Sequence, residues 1–262
     1  MAKQKKKRIL IYCLLGAAVV IAFLLSPVFA MKKVVLSPLT CYEEEEIYAK
    51  IRPYLGKNGF LSVAANTTLK QSASLLSLEL PELAEELVFS FPYLKDVKVK
   101  YAFPNTLRID VSERIPIFLA EQHGFYLYID SEGVVLNTFT EADKPALPVV
   151  QGLEITDYKI GNALTKTQND GIDLAIRLCN LMRQLSMLAD IDIIDLSDYN
   201  NIWMYCAPSL SVKFGDGDDL GVRLSQLKSI MQSGYDGDSD GVLDFTGGGY
   251  PVFTKNERND RE

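Results

Sequence analysis

FPNTLRIDVSERIPIFLAEQHGFYLYIDSEGVVL, residues 103–136, carries two strand patterns and the break between them. Pro104-Asn105 opens it with a turn. Leu107, Ile109 and Val111 then alternate with Arg108, Asp110 and Ser112, the period of two of a strand with one buried face. Glu113-Arg114-Ile115-Pro116 interrupts that pattern, because proline has no N–H to give to a central ladder. Residues 125–129 read as a second, aromatic strand. Asp130-Ser131-Glu132-Gly133 is a turn with glycine placed for positive φ, and residues 134–136 return from it. The spacing predicts a seam. Strands up to Glu113 complete one domain, and residues 117–136 begin another.

Upstream, Val97, Val99 and Tyr101 alternate with Lys98 and Lys100 and predict a strand turning into the first pattern. Residues 75–89 have helical leucine spacing, with Pro81 suited to a first turn and Phe91-Pro92-Tyr93 as a stop. Asn66-Thr67-Thr68 and Ser72-Ala73-Ser74 before it are loop-like. Thr40 is placed to cap a helix with Glu43, Glu44, Glu45 and Glu46 in its first turn, where acids suit the helix dipole. They read as a solvated turn rather than a cation site. Ile47, Ile51, Tyr54 and Leu55 give that helix one apolar face, and Gly56 ends it. Residues 33–36 are a short strand. The order is strand, helix, helix, strand, strand.

Residues 9–31 contain no charge, long enough for a helix to cross a bilayer core of ~30 Å. Lys3, Lys5, Lys6, Lys7 and Arg8 precede them, and Lys32 and Lys33 follow. This asymmetry places residues 1–8 in the cytoplasm and the bulk of the chain outside. A cleaved signal peptide is the competing reading, since Val28-Phe29-Ala30 has suitable small residues, but the apolar run exceeds the ~7–15 residues of a signal core. An uncleaved single-pass anchor is expected.

Downstream, residues 165–188 predict a helix with Ile172, Ala175, Ile176, Cys179, Met182 and Leu185 on one side. Residues 191–196, 202–206 and 210–214 predict strands. Residues 218–231 predict a second helix through Leu220, Leu224, Leu227 and Met231. Residues 242–245 and 251–253 are final short strands, and a charged tail follows.

The chain has 27 bases and 34 acids; residues 1–33 hold seven of the bases and no acid, so the remainder carries 20 bases against 34 acids, a net charge of −14. Such a body repels nucleic acid. Of four cysteines, Cys13 lies in the apolar run, while Cys41, Cys179 and Cys206 are scattered without a CxxC pair. Cys179 and Cys206 read as buried small hydrophobes rather than a bridge. The one histidine, His123, reads as a turn residue. No GxSxG elbow, HExxH, GxxxxGKS or GxGxxG is present. Asp236, Asp238 and Asp240 with Gly241 match the start of a calcium loop, but the twelfth position is Gly247 where a bidentate glutamate is needed. A polar turn is the better reading, and no cofactor is expected.

FPNTLRIDVSERIPIFL, YIDSEGVVL and LPVVQGL, with IDIIDLSDYNNIWMY and SVKFGDGDDLGVRLSQLKSI, resemble the FtsQ/DivIB family of bacterial cell-division proteins. The resemblance implies an α+β chain: a cytoplasmic tail (1–8), a transmembrane helix (9–31), a POTRA domain (32–114), a mixed β domain with a largely antiparallel sheet (115–253) and a disordered charged tail (254–262). It implies a non-enzymatic septal protein that joins FtsL-type and FtsB/DivIC-type partners and helps regulate peptidoglycan synthesis. The C-terminal strand region binds the FtsB/DivIC-type partner in relatives. Leu243, Phe245, Tyr250, Val252 and Phe253 are the matching anchors here, on an edge that accepts an extended peptide. Glu113, Arg114 and Pro116 are expected to fix the domain junction. An anchored cell-wall hydrolase or calcium-dependent binding protein is the alternative, and it requires a pocket with converging polar groups.

Overall fold

The structure, a computed structural model, describes residues 2–65, 78–122, 124–140, 145–164, 170–206, 209–233 and 240–255. Contacts divide the chain into two units, Met1–Arg114 and Ile115–Glu262.

The first unit begins with helix α1 (Ala2–Leu24), whose Lys7–Leu24 segment is long and apolar enough to cross a membrane. A POTRA domain follows. Its elements are β1 (Lys33–Leu36), α2 (Glu44–Ile51), α3 (Gly59–Ala65), α4 (Pro81–Ser90), β2 (Leu94–Ala102) and β3 (Thr106–Glu113). The sheet order is β1-β3-β2, with β1 parallel and β2 antiparallel to β3. The alternation read in the sequence is the burial seen. Leu107 and Ile109 are buried with Val99 and Tyr101, and Ile47, Ile51, Leu83 and Leu87 cover them from α2 and α4.

Three expectations are corrected here. Of the second helix expected over residues 75–89, residues 75–77 lie outside the described residues and 78–80 are not helical. Leu78 takes a positive φ of 57°, and the segment around it docks on β2: Tyr101 N–H donates to Leu78 O (2.8 Å) and Leu80 N–H to Val99 O (2.8 Å). Leu78 and Leu80 serve a sheet edge, so the described helix begins at Pro81, whose missing N–H costs nothing at a first turn. The short helix α3 was not anticipated; Asn58 Oδ1 accepts from Leu61 N–H at its start (3.2 Å). Nor does Thr40 cap α2. Its N–H (2.8 Å) and hydroxyl both donate to the Glu113 carboxylate, as does the Cys41 N–H (3.0 Å). Glu43 sits at the cap position of α2 with no side-chain bond to the helix.

The second unit holds β4 (Pro116–Gln122), β5 (Phe125–Asp130), β6 (Val135–Phe139), β7 (Val149–Gln151), α5 (Asp170–Gln184), β8 (Ile191–Asp195), β9 (Ile202–Cys206), β10 (Leu210–Gly215), α6 (Leu220–Ser233), β11 (Gly241–Asp244) and β12 (Val252–Lys255). They form one sheet in the order β12-β11-β10-β9-β8-β7-β4-β5-β6. It is mixed. β7 runs parallel to β4 and β8, and β11 parallel to β10, while the other neighbours are antiparallel. Parallel neighbours need a long crossover, and α5 and α6 lie in two of them, β7 to β8 and β10 to β11. Ile172, Ala175, Cys179 and Met182 of α5 and Leu220, Leu224 and Leu227 of α6 pack with Phe118, Leu127, Val150, Ile194, Met204 and Val212 of the sheet. Pro116 is tolerated in β4 because it is the first residue of the strand. The Asp130–Gly133 turn forms as read: Gly133 has φ +80°, and the Asp130 carboxylate accepts from Glu132 N–H (2.9 Å) and Val134 N–H (2.8 Å).

Burial raises the Glu113 pKa, but the donors from Thr40 and Cys41 outweigh it and hold the carboxyl below the ordinary glutamate range. A carboxylate with a lowered native pKa stabilises the fold above the usual range, and that contribution is lost as pH falls through the lowered value. Glu113→Gln should therefore cost about 1 kcal/mol at neutral pH, after allowance for solvent screening. It should also flatten the acid limb of stability against pH, followed by denaturant unfolding of the full chain in detergent; an unchanged acid limb would count against the clamp.

Candidate protein interaction site

Backbone groups at a sheet edge need partners, and each edge of this protein answers differently. The edge beside β2 is met by residues 78–80, including the bridge between Glu79 and Lys100. The edge at β6 is met by residues 161–162: Gly161 N–H donates to Val135 O (2.8 Å), and Val135 N–H to Asn162 O (3.0 Å). β1 is short, with four residues. β12 is the last strand of the large sheet, and all four of its residues are exposed.

Four register pairs hold β12 to β11, from Gly241↔Lys255 to Asp244↔Val252. Side chains alternate along β11. Leu243 and Phe245 point to the helix-covered core, and the Phe245 ring lies 5.7 Å from that of Phe214. These two of the five expected anchors are therefore core residues that hold the strand from beneath. Tyr250, Val252 and Phe253 are the exposed ones, at 93%, 61% and 43% of full exposure. The Phe253 ring crosses back over Gly241: a Cβ there would stand 2.4 Å from Phe253 Cζ and 2.8 Å from Thr254 O.

The loop joining the two strands is tied down at its start. Asp244 accepts from Thr246 N–H (2.7 Å) and Thr246 Oγ1 (2.6 Å), and lies 3.6 Å from Lys213 Nζ. The Thr246 hydroxyl first, then its N–H and the Lys213 ammonium, hold the Asp244 carboxyl below the usual carboxylate range. Gly248 (φ 66°) and Gly249 (φ 120°) make the turn that presents Tyr250. Tyr250 and Pro251 form one wall of a groove of about 530 Å³, with Val222, Gln226 and Ile230 of α6 opposite. The sequence reading missed α6 as part of this surface. The signal was there: Val222 lies off the Leu220-Leu224-Leu227 register, which marks an apolar residue on the outer face, and it is 59% exposed.

The remaining expected residues are scattered. Glu113 binds Thr40 and Cys41 within the first unit, and Arg114 N–H donates to Tyr93 O (2.6 Å). His123, Asp236 and Asp238 lie outside the described residues, as do residues 66–68, 72–74, 165–169 and 256–262. The described end of the chain is strand through Lys255, so the expected tail does not begin at 254. Among the described residues no group of three His, Cys, Asp or Glu is placed to hold a metal. The four thiols are free. Burial, then the charges of Asp192 and Asp190, push the Cys206 thiol up to about 12; burial pushes Cys179 up as well, so both stay protonated. A second groove of about 550 Å³, between α5 and the loops at Tyr199 and Gly217, is lined by Asp173, Arg177 and Asp218 without a nucleophile–base pair.

Two family models match the chain: the FtsQ-type POTRA domain over residues 62–114, and the cell division protein FtsQ/DivIB C-terminal domain over residues 119–244. The chain belongs to the FtsQ/DivIB family of cell-division proteins. It is similar to the DivIB of Clostridium tetani, 24% identical over 170 residues, which covers 65% of this chain and 63% of that protein. Similarity to the FtsQ of Syntrophotalea carbinolica is 30% over 143 residues, covering 53% of this chain and 49% of the relative. For the DivIB of Clostridium acetobutylicum it is 24% over 193 residues, covering 74% and 76%. The match thus spans half to three quarters of the length of these relatives. The C-terminal family model ends at residue 244, so Tyr250 and β12 lie beyond it.

Gly241→Ala should loosen β12 without unfolding the sheet, because the added methyl meets the backbone oxygen of Thr254 as well as a movable ring. Hydrogen exchange of the full chain should show faster exchange at residues 252–255 and unchanged protection in β9 and β10. Uniform protection across β12 would mean that the contact is easily relieved.

Proposed function

We propose that this FtsQ/DivIB protein is a single-pass scaffold of the division septum that acts by binding, with its basic N-terminus in the cytoplasm and both folded units outside. On this reading its partners are FtsL-type and FtsB/DivIC-type division proteins, and it helps regulate septal peptidoglycan synthesis through them. Family membership and the apolar helix α1 support the setting. The observation that carries the mode of action is β12, an exposed last strand that contains Val252 and Phe253 and is preceded by the exposed Tyr250. An extended partner segment pairs with such an edge through its backbone and seats side chains in adjacent grooves. The groove between Tyr250 and α6 is where an anchor would fit.

The full chain in detergent should copurify with a DivIC-type ectodomain. Replacing Tyr250 and Phe253 together by alanine should weaken that capture about a hundredfold, the loss expected when two aromatic anchors are truncated. Phe245→Ala separates the roles of the two faces. It should lower the unfolding free energy by about 3 kcal/mol through the cavity left beside Phe214, while binding by the protein that remains folded changes little. Full-strength capture by the Tyr250/Phe253 double variant would sink the β12 reading.

A further inference from the structure

The chain enters the POTRA domain directly from α1, without a linker. Leu25 N–H donates to Ile21 O (3.0 Å) and Ser26 N–H to Phe23 O (3.0 Å), closing the helix. Pro27–Phe29 make one tight turn, and Phe29 and Met31 are fully buried in the domain core. The Asn58 side chain fixes the helix end, donating to Leu24 O (2.8 Å) and Ser26 O (3.4 Å). The rings finish the joint. Phe29 stands 5.2 Å from Phe23 in the last turn of α1, and 5.5 Å from Phe103 at the tip of the β2–β3 hairpin. Lys32 N–H reaches the same tip at Asn105 O (2.8 Å).

Around this joint the surface is apolar. Phe103 is 65% exposed, Val28 58%, Leu61 55% and Leu25 48%, although each sits beside a buried aromatic core. Lys32 and Lys57 are exposed next to them. The 18 residues of Lys7–Leu24 span ~27 Å as a helix, close to the ~30 Å of a hydrocarbon core. If that helix crosses the bilayer, Leu24 stands at the hydrocarbon boundary, and the patch falls in the headgroup layer beyond it. Aromatic rings favour that layer, and lysines suit anionic headgroups.

We infer that the hairpin tip at Phe103, together with Leu25, Val28 and Leu61, is a lipid-contacting surface that seats the POTRA domain on the outer face of the bilayer. This rests on the reading of α1 as a membrane span. The occupant is lipid rather than another protein because the patch is continuous, through Phe23 and Phe29, with the helix that lipid already surrounds. The Asn58 bonds forbid the few residues of slack that would lift the domain clear.

The test uses the full chain in vesicles of phosphatidylethanolamine and phosphatidylglycerol whose acyl chains carry bromine near the headgroup. Trp203→Phe removes the single native tryptophan, and Phe103→Trp introduces one reporter. Phe89→Trp is the control, on an exposed position of α4 near the start of β2, which is the strand end away from the tip. Emission from the Phe103→Trp chain should be blue-shifted and quenched about twofold, with the control unquenched. Val28→Trp should repeat the pattern and keeps the test open if the first substitution disturbs Phe29. Protease protection of the helix reports insertion. A protected helix with no more quenching at 103 and 28 than at 89 overturns the inference, leaves the span intact and returns the patch to a protein partner. An unprotected helix overturns both.

Discussion

Backbone amides and carbonyls at the margin of a sheet must be covered, paired or left for another chain, and that requirement organises both units. In the POTRA domain it is met by spending three residues, Leu78 to Leu80, on β2 before the last helix begins. Leu78 accepts a left-handed conformation to do so, a cost that a leucine bears only when several bonds depend on it. In the large sheet, the segment at Gly161-Asn162 closes the β6 side. β12 stands last in the sheet, and all four of its residues are exposed. The Phe253 ring of β12 lies over Gly241 of β11, and the loop between the two strands presents Tyr250 to solvent.

Two short polar side chains fix the ends of elements that propensity alone would leave loose. Glu113 gathers three donors from Thr40 and Cys41, and so ties the segment entering α2 to the end of β3. Asn58 serves two helices at once: its amide nitrogen binds the last carbonyls of α1, and its oxygen starts α3. Helix ends carry unsatisfied groups by construction. One asparagine placed between two such ends joins them with the geometry of neither left free. The buried Phe29 and Met31 then make the exit from α1 part of the domain core.

Much of this was legible in the sequence where the pattern was long. Residues 94–113 alternate over two full strands, so their faces and pairing follow from period two. The helices at 170–184 and 220–233 follow from leucine and isoleucine spacing. Short elements were not legible in the same way. Four residues of β11 alternate, but alternation alone does not say which side faces the core; the parallel neighbour β10 and helix α6 decide it, and both are remote in sequence. Leu78 and Leu80 satisfy a helical period and a sheet-edge role equally, and the docking on β2 wins because it satisfies backbone groups that a helix would leave open. Asn58 binds the carbonyl of Leu24, 34 residues away, and no local pattern in the sequence signals that pairing.

The division of labour between the two faces of β11 and β12 has an energetic reason. Strand pairing at an edge exchanges bonds to water for bonds to protein, and the net gain per bond is only about 1 kcal/mol. A four-residue edge therefore does not pay for ordering an extended partner segment, which costs about 1–2 kcal/mol per residue. Apolar cover must supply the rest. Burying a tyrosine removes on the order of 150–200 Å² from water, about 4 kcal/mol at 25 cal/mol per Å². Tyr250, almost wholly exposed beside an apolar groove, is the largest such reserve along this edge. Leu243 and Phe245 have already spent theirs on the core, which keeps β11 in place whether or not the edge is occupied. On the proposed binding role, an edge built this way would select by side chain and register together. A segment that pairs with β12 but offers nothing to the Tyr250 groove gains too little to stay, and one that fills the groove without an extended backbone leaves β12 in water.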